Sequence, residues 1–120
     1  MYSCSVLSHL TEAAAVKWLE ELARILTPNG LALLSFNGLS NSASYLSRRT
    51  DEFLNVMNRK LFDMDVNSEL EGFIPSEDYY RASFASDEWW ATIFRRYFRL
   101  VRVEYSVVSG FQHIAILKKL

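Results

Sequence analysis

The side chains of this 120-residue chain that can do more than pack or carry charge are few: two histidines, His9 and His113, one cysteine, Cys4, and a scatter of serines and amides. A neutral imidazole can serve as a general base or orient a substrate near physiological pH, which makes His9 the first candidate for catalysis. With no partner visible in the sequence, its alternative is structural, as a cap or packing residue where the next helix begins. Cys4 has no second cysteine to bridge and no metal-ligand spacing around it, so it is expected to be a small buried strand residue in a reducing, cytoplasmic setting. No Ser-His-Asp order, Cys-His pair, phosphate-cradling loop or zinc spacing is present, which leaves hydrolase, kinase and metalloenzyme readings without support.

Charge narrows the partners. Thirteen basic and 14 acidic residues give a net charge of -1, and the arginines of 48–49, 59, 95–96, 99 and 102 are interspersed with acids rather than gathered in a stripe. No field draws the chain to nucleic acid or an anionic membrane, and these residues read as solvated faces. The longest apolar run, Leu31 to Phe36, is far shorter than the roughly 20 residues that cross a bilayer.

The elements that must position any site follow from periodicity. Met1 to Leu7 reads as a short strand. Thr11 caps a helix with Glu12 in its first turn and apolar residues at Ala15, Trp18, Leu19, Leu22, Ile25 and Leu26. Thr27-Pro28-Asn29-Gly30 stops it, since proline cannot continue a helix and Asn or Gly accepts the left-handed turn. Leu31 to Phe36 shows no alternation, so both faces of this strand are expected to be covered, as in a parallel sheet between helices.

Leu39 to Ser44 reads as a loop, Tyr45 to Phe62 as a helix, and Asp63 to Ala85 as irregular chain with aromatics that pack over something. Ser86 caps an aromatic helix carrying Trp89, Trp90, Ile93, Phe94, Tyr97 and Phe98. Leu100 to Val107 alternates, Ser109-Gly110 turns, and Phe111 to Leu117 returns as an antiparallel partner. One domain over residues 1–120, with no repeat or linker, is expected.

This order resembles the C-terminal half of a class I, Rossmann-like S-adenosylmethionine-dependent methyltransferase. Ser5-Val6-Leu7-Ser8-His9-Leu10-Thr11-Glu12 looks like the end of that family's fourth strand. Trp18 to Gly30 is similar to its helix ending in an Arg-hydrophobic-Leu-x-Pro-Gly-Gly turn, with Asn29 in place of the first glycine. Tyr80-x-x-Ser83-Phe84-x-Ser86, Phe98-x-Leu100-Val101 and Gly110-Phe111-Gln112-His113 look like the tail of small-molecule methyltransferases, with His113 where an Asp is usual. The likeness covers nearly all 120 residues.

It implies an α/β fold, β-α-β-α-α-β-β, with two parallel strands and a C-terminal antiparallel hairpin, and without the N-terminal half that binds cofactor. The four glycines include no G-x-G, so no cofactor-binding residue is assigned, nor any metal ligand. S-adenosylmethionine is expected only if a partner completes the site.

The resemblance places the acceptor beyond the carboxyl ends of the parallel strands. His9 is then the catalytic candidate. Ser3, Ser5 and Asn37 are the substrate-binding candidates there, each with the alternative of satisfying a strand end or a turn. Tyr79, Tyr80, Trp89 and Trp90 are candidates for an aromatic wall facing an apolar or cationic ligand, or for core. An open edge at Tyr2 to Val6 implies a substitute partner, either a second copy or a complementing chain. Two functions stay open: the substrate-side half of a split or oligomeric methyltransferase, inactive alone, and a non-catalytic interaction or oligomerisation module.

Overall fold

A computed structural model describes residues 1–66, 72–73 and 80–120. The chain runs β1 (Tyr2–Ser3), a 3-10 turn (Leu7–His9), α1 (Glu12–Ile25), β2 (Leu31–Phe36), α2 (Leu39–Tyr45), α3 (Thr50–Met57), β3 (Phe62–Val66), β4 (Arg81–Phe84), α4 (Asp87–Tyr97), β5 (Phe98–Val108) and β6 (Gln112–Lys119). It is a mixed α/β protein. One sheet has the order β1-β2-β6-β5, and β3 with β4 forms a second, two-stranded sheet.

Strand β1 pairs in parallel with β2 through Tyr2↔Leu33 and Ser3↔Leu34, while β6 runs antiparallel to both β2 and β5. The expected parallel pair and terminal hairpin are therefore present. The helix ends also follow the sequence: Thr11 accepts a hydrogen bond from the Ala14 N–H at 3.2 Å, and Ser86 accepts from the Trp89 N–H at 3.1 Å. Asn29 has φ of 62°, the left-handed geometry expected of it at the Pro-Asn-Gly turn.

Helices α1 and α4 cover one face of the large sheet. Ala15, Leu19 and Leu22 from α1, with Trp89, Trp90, Ile93 and Phe94 from α4, pack over Ala32, Leu34, Phe36, Ala115 and Leu117. Register explains the selection, because Ala32 lies opposite Leu117, Leu34 opposite Ala115 and Phe36 opposite His113. A smaller core joins Leu46, Val56 and Phe84.

Several expectations are corrected. Strand β1 is two residues long rather than seven, because Ser5 takes a left-handed φ of 55° and gives its N–H to the Ser35 hydroxyl instead of the backbone ladder. Cys4, expected to be buried, is exposed.

Leu39 to Ser44 is helical rather than a loop. Its start is held by the Asn41 side chain accepting the Gly38 N–H and by the Ser42 hydroxyl donating to the Gly38 carbonyl, bonds that hydropathy cannot register. The single helix expected over Tyr45 to Phe62 is only α3. Within the stretch expected to be irregular, Phe62↔Phe84 and Asp63↔Ser83 register an antiparallel pair. Finally, β2 is covered on both faces only at its carboxyl end, where Ser35 is buried: on the same face Leu31 and Leu33 are 50% and 37% exposed. Both helices lie on the other side, so the continuous apolar run does not signal two-sided burial here.

Candidate functional site

The chain reverses direction just past the carboxyl ends of β1 and β2, and the space left between these turns, β4 and the start of β6 is a cleft of about 300 Å³. Its polar lining is Ser5, Ser8, His9, Asn37 and Gln112, and its apolar lining is Tyr45, Ala82, Phe84 and Phe111. Three of the sequence candidates, His9, Ser5 and Asn37, are brought together here.

Gln112 organises the floor. Its Oε1 accepts from the hydroxyls of Ser35 at 2.9 Å and Ser5 at 3.1 Å, while its Nε2 donates to Ser8 Oγ at 3.4 Å. The Ser5 N–H reaches Ser35 Oγ at 2.7 Å. A left-handed serine is uncommon, and here the network over-determines it, as strained positions at ligand sites are held.

His9 is fixed in one tautomer. Its Nδ1 lies 2.7 Å from the Arg81 carbonyl oxygen, which can only accept, so Nδ1 carries the proton. In the neutral ring Nε2 is then an acceptor, with no hydrogen-bond partner among the described residues. The ring stacks on Tyr80, centroids 4.4 Å apart and planes 17° apart, which sets its plane. The Ser83 hydroxyl donates to the Leu10 carbonyl, so β4 grips the turn at His9 and at the residue after it. Burial pushes the nearby Asp63 carboxyl up, against the opposing pull of Arg81 and Ser83.

Asn37 is 6% exposed. Its Nδ2 donates to the Ser83 carbonyl at 3.2 Å, and its own carbonyl accepts from Trp90 Nε1 at 2.9 Å. Its Oδ1 is buried with no partner among the described residues. Exchanging amide O and N would set oxygen against the Ser83 carbonyl, so the orientation is chemically determined. An orphaned buried acceptor costs about 1–3 kcal/mol, so Asn37 holds the end of β2 in place at some cost to stability.

The other candidates lie apart from the cleft. Ser3 is half-buried in β1. Tyr80 supports His9 from outside the lining. Trp89 and Trp90 belong to the core and meet edge to face at 5.0 Å. Tyr79 falls outside the described residues.

Sequence reasoning gave no role to Gln112, Ser8, Tyr45, Phe84 or Phe111. Phe111 and Gln112 were visible only as members of the Gly110-Phe111-Gln112-His113 stretch.

His113 belongs to a different environment. It is 1% exposed, and its Nδ1 accepts the Ser106 N–H at 3.1 Å, so Nε2 carries the proton and donates to Ser40 Oγ at 3.1 Å. Burial pushes its pKa down, and the Asp87 carboxylate, 3.9 Å from Nε2, opposes this in part. Ser40, His113 and Asp87 form no nucleophile relay. Both side-chain contacts fall on Nε2, whereas a relay places the acid on the other ring nitrogen. Asp87 instead accepts the Leu39 N–H at 2.9 Å.

The spacing depends on Gly38. A Cβ there would come within 2.0 Å of Asp87 Oδ1 and 2.6 Å of His113 Cδ2.

Among the described residues no cluster of three metal-ligating side chains occurs, and no helix is long and apolar enough to cross a membrane. Four of the arginines lie in exposed ion pairs: Arg24–Glu21, Arg49–Glu52, Arg59–Glu88 and Arg102–Glu104. The class defined by the fold is an α/β domain with a four-stranded mixed sheet and a cleft at the carboxyl ends of its parallel pair. No protein-family profile matches the chain, and no curated protein matches it significantly.

Proposed function

We propose that this chain is the acceptor-side part of a methyltransferase-like protein, inactive alone, which holds a small molecule in the cleft while the methyl donor is bound by a complementing chain or second copy. The observation that carries the reading is the convergence of His9, Ser5 and Asn37 on one cleft beyond the carboxyl ends of a parallel strand pair, where open α/β sheets bind ligands. The antiparallel hairpin after α4 agrees with the same resemblance.

The described residues do not by themselves fit S-adenosylmethionine. Among the described residues no carboxylate lines the cleft to take ribose hydroxyls, and no glycine-rich turn is among the four glycines. The chain's own contribution is therefore to bind and orient. His9 offers Nε2 to an acceptor's proton, Gln112 sets the serine hydroxyls, and the aromatic wall excludes water. Positioning is a large share of what methyl transfer requires.

Calorimetric titration of the chain with S-adenosylhomocysteine, run beside its solution mass, tests this. No heat from the chain alone is expected. Saturable micromolar binding by a monomer would overturn the division of labour.

A second reading, a non-catalytic assembly module, is favoured by one specific observation. Tyr2, 84% exposed, registers beside exposed Leu33, with Leu31 on the same face, at the edge and uncovered side of the sheet. A stable oligomer whose cleft binds no small molecule would make it the better reading.

A further inference from the structure

The hydrogen bonds within the cleft determine which of its polar groups are left to meet a ligand. Ser5 spends its hydroxyl proton on Gln112 Oε1, which leaves lone pairs on Ser5 Oγ. Gln112 Nε2 is directed to Ser8. His9 Nδ1–H is committed to the Arg81 carbonyl, leaving the Nε2 lone pair. Asn37 commits one N–H to the Ser83 carbonyl, and its Oδ1 is buried with no partner among the described residues. Ser5 Oγ and His9 Nε2 thus offer acceptors, while the Ser8 and Tyr45 hydroxyls still have protons to give.

Among the described residues no lysine or arginine side chain lines the cleft, so no fixed positive charge there balances an anion. The remaining wall is Tyr45, Phe84 and Phe111, with Tyr45 and Phe84 centroids 5.4 Å apart. Flat rings are the natural complement of such a wall. An enclosed apolar cavity of about 150 Å³ holds benzene, so this cleft has room for one or two fused rings.

We infer that the cleft takes an uncharged aromatic ligand of one or two rings bearing an O–H or N–H donor, of the phenol or indole kind. The donor meets the His9 Nε2 acceptor, and the ring lies against Phe84 and Phe111. This rests on reading the cleft as a small-molecule site, and the test separates the two claims.

The 120-residue chain, labelled with nitrogen-15, is titrated by NMR with phenol, anisole and benzoate. Phenol is expected to shift the Asn37 side-chain amide and the backbone amides of Ser5, Ser8 and Gln112. Anisole, which has the ring without the donor, should bind about tenfold more weakly, as the loss of one hydrogen bond to a half-buried acceptor dictates. Benzoate should leave these signals in place.

Anisole binding as well as phenol, or benzoate binding best, would overturn the donor requirement while leaving the cleft a ligand site. No cleft shift with any of the three would overturn the aromatic class as well, and the S-adenosylhomocysteine titration would still report on the methyltransferase-like reading. His9→Phe keeps a ring on Tyr80 but removes the acceptor, so it should narrow the preference for phenol over anisole severalfold. If that variant does not fold, the three-probe comparison on the natural chain decides.

Discussion

The two faces of the large sheet have been put to opposite uses. One face, Ala32, Leu34, Phe36, Ala115 and Leu117, is sealed by α1 and α4, and its five side chains are all but inaccessible. The other shows Leu31 and Leu33 to solvent, flanked by half-buried Ile114 and Ile116. Both faces are comparably aliphatic, so composition does not tell them apart. What differs is the presence of a helical layer, and a sheet with one layer depends on that layer for nearly all its cohesion.

The largest effect should come from breaking the sealed face. Trp90 is fully buried, stacks with Phe94 and donates to the Asn37 carbonyl. Trp90→Ala is expected to cost about 3–5 kcal/mol, read from the urea midpoint, and to loosen the cleft wall at Asn37. A loss below about 1 kcal/mol would mean that the covered face is not the principal core.

Gly38→Ala comes next. The backbone at the end of β2 is too close to Asp87 and His113 for a methyl group, and a cost of about 1–3 kcal/mol is expected by the same measurement.

The third prediction uses pH. Burial lowers the pKa of His113 in the folded chain, while the unfolded ring keeps a value near about 6.5. Between those values the unfolded state binds the extra proton, so stability should be complete above about pH 6.5 and fall as the solution is acidified toward the folded value. His113→Gln should flatten the slope of urea midpoint against pH. An unchanged slope would assign the acid sensitivity elsewhere.

The smallest effect on folding should come from the open face. Leu33→Lys is expected to change stability by no more than about 0.5 kcal/mol, while dissociating any assembly formed there, as read from solution mass by light scattering. A loss comparable to that of Trp90→Ala would abolish the contrast between the faces.

How much of this was legible in the sequence varies by element. The capped helices α1 and α4 could be read because a hydroxyl before an acidic first turn and a repeating apolar stripe act locally. The terminal hairpin and the Asn29 turn were equally local. The length of β1 and the strands β3 and β4 were not legible, since each is decided by bonds between distant residues, such as Ser5 to Ser35 or Ser83 to Leu10, and the helix at Leu39–Tyr45 was not because its start rests on side-chain bonds to Gly38 that hydropathy does not register. The bare side of β2 was misread because a run of apolar residues reports hydrophobicity and not what covers it.

At the site, position was legible for His9, Ser5 and Asn37, which follow strand ends. Their protonation and pairing were not. Gln112, 104 residues from Ser8 in the chain, could be placed beneath them only by the pairing of β6 with β2.

The far edge of the sheet carries one last consequence. Strand β5 departs from regular pairing with β6 twice, between Leu100 and Arg102 and again between Glu104 and Val108, with Ser106 left-handed inside the second irregularity. Such kinks turn an edge away from any strand that would add to it. Growth of this sheet is then possible only beside β1. Two molecules meeting there would use up each other's single open end, giving a closed pair rather than a fibre.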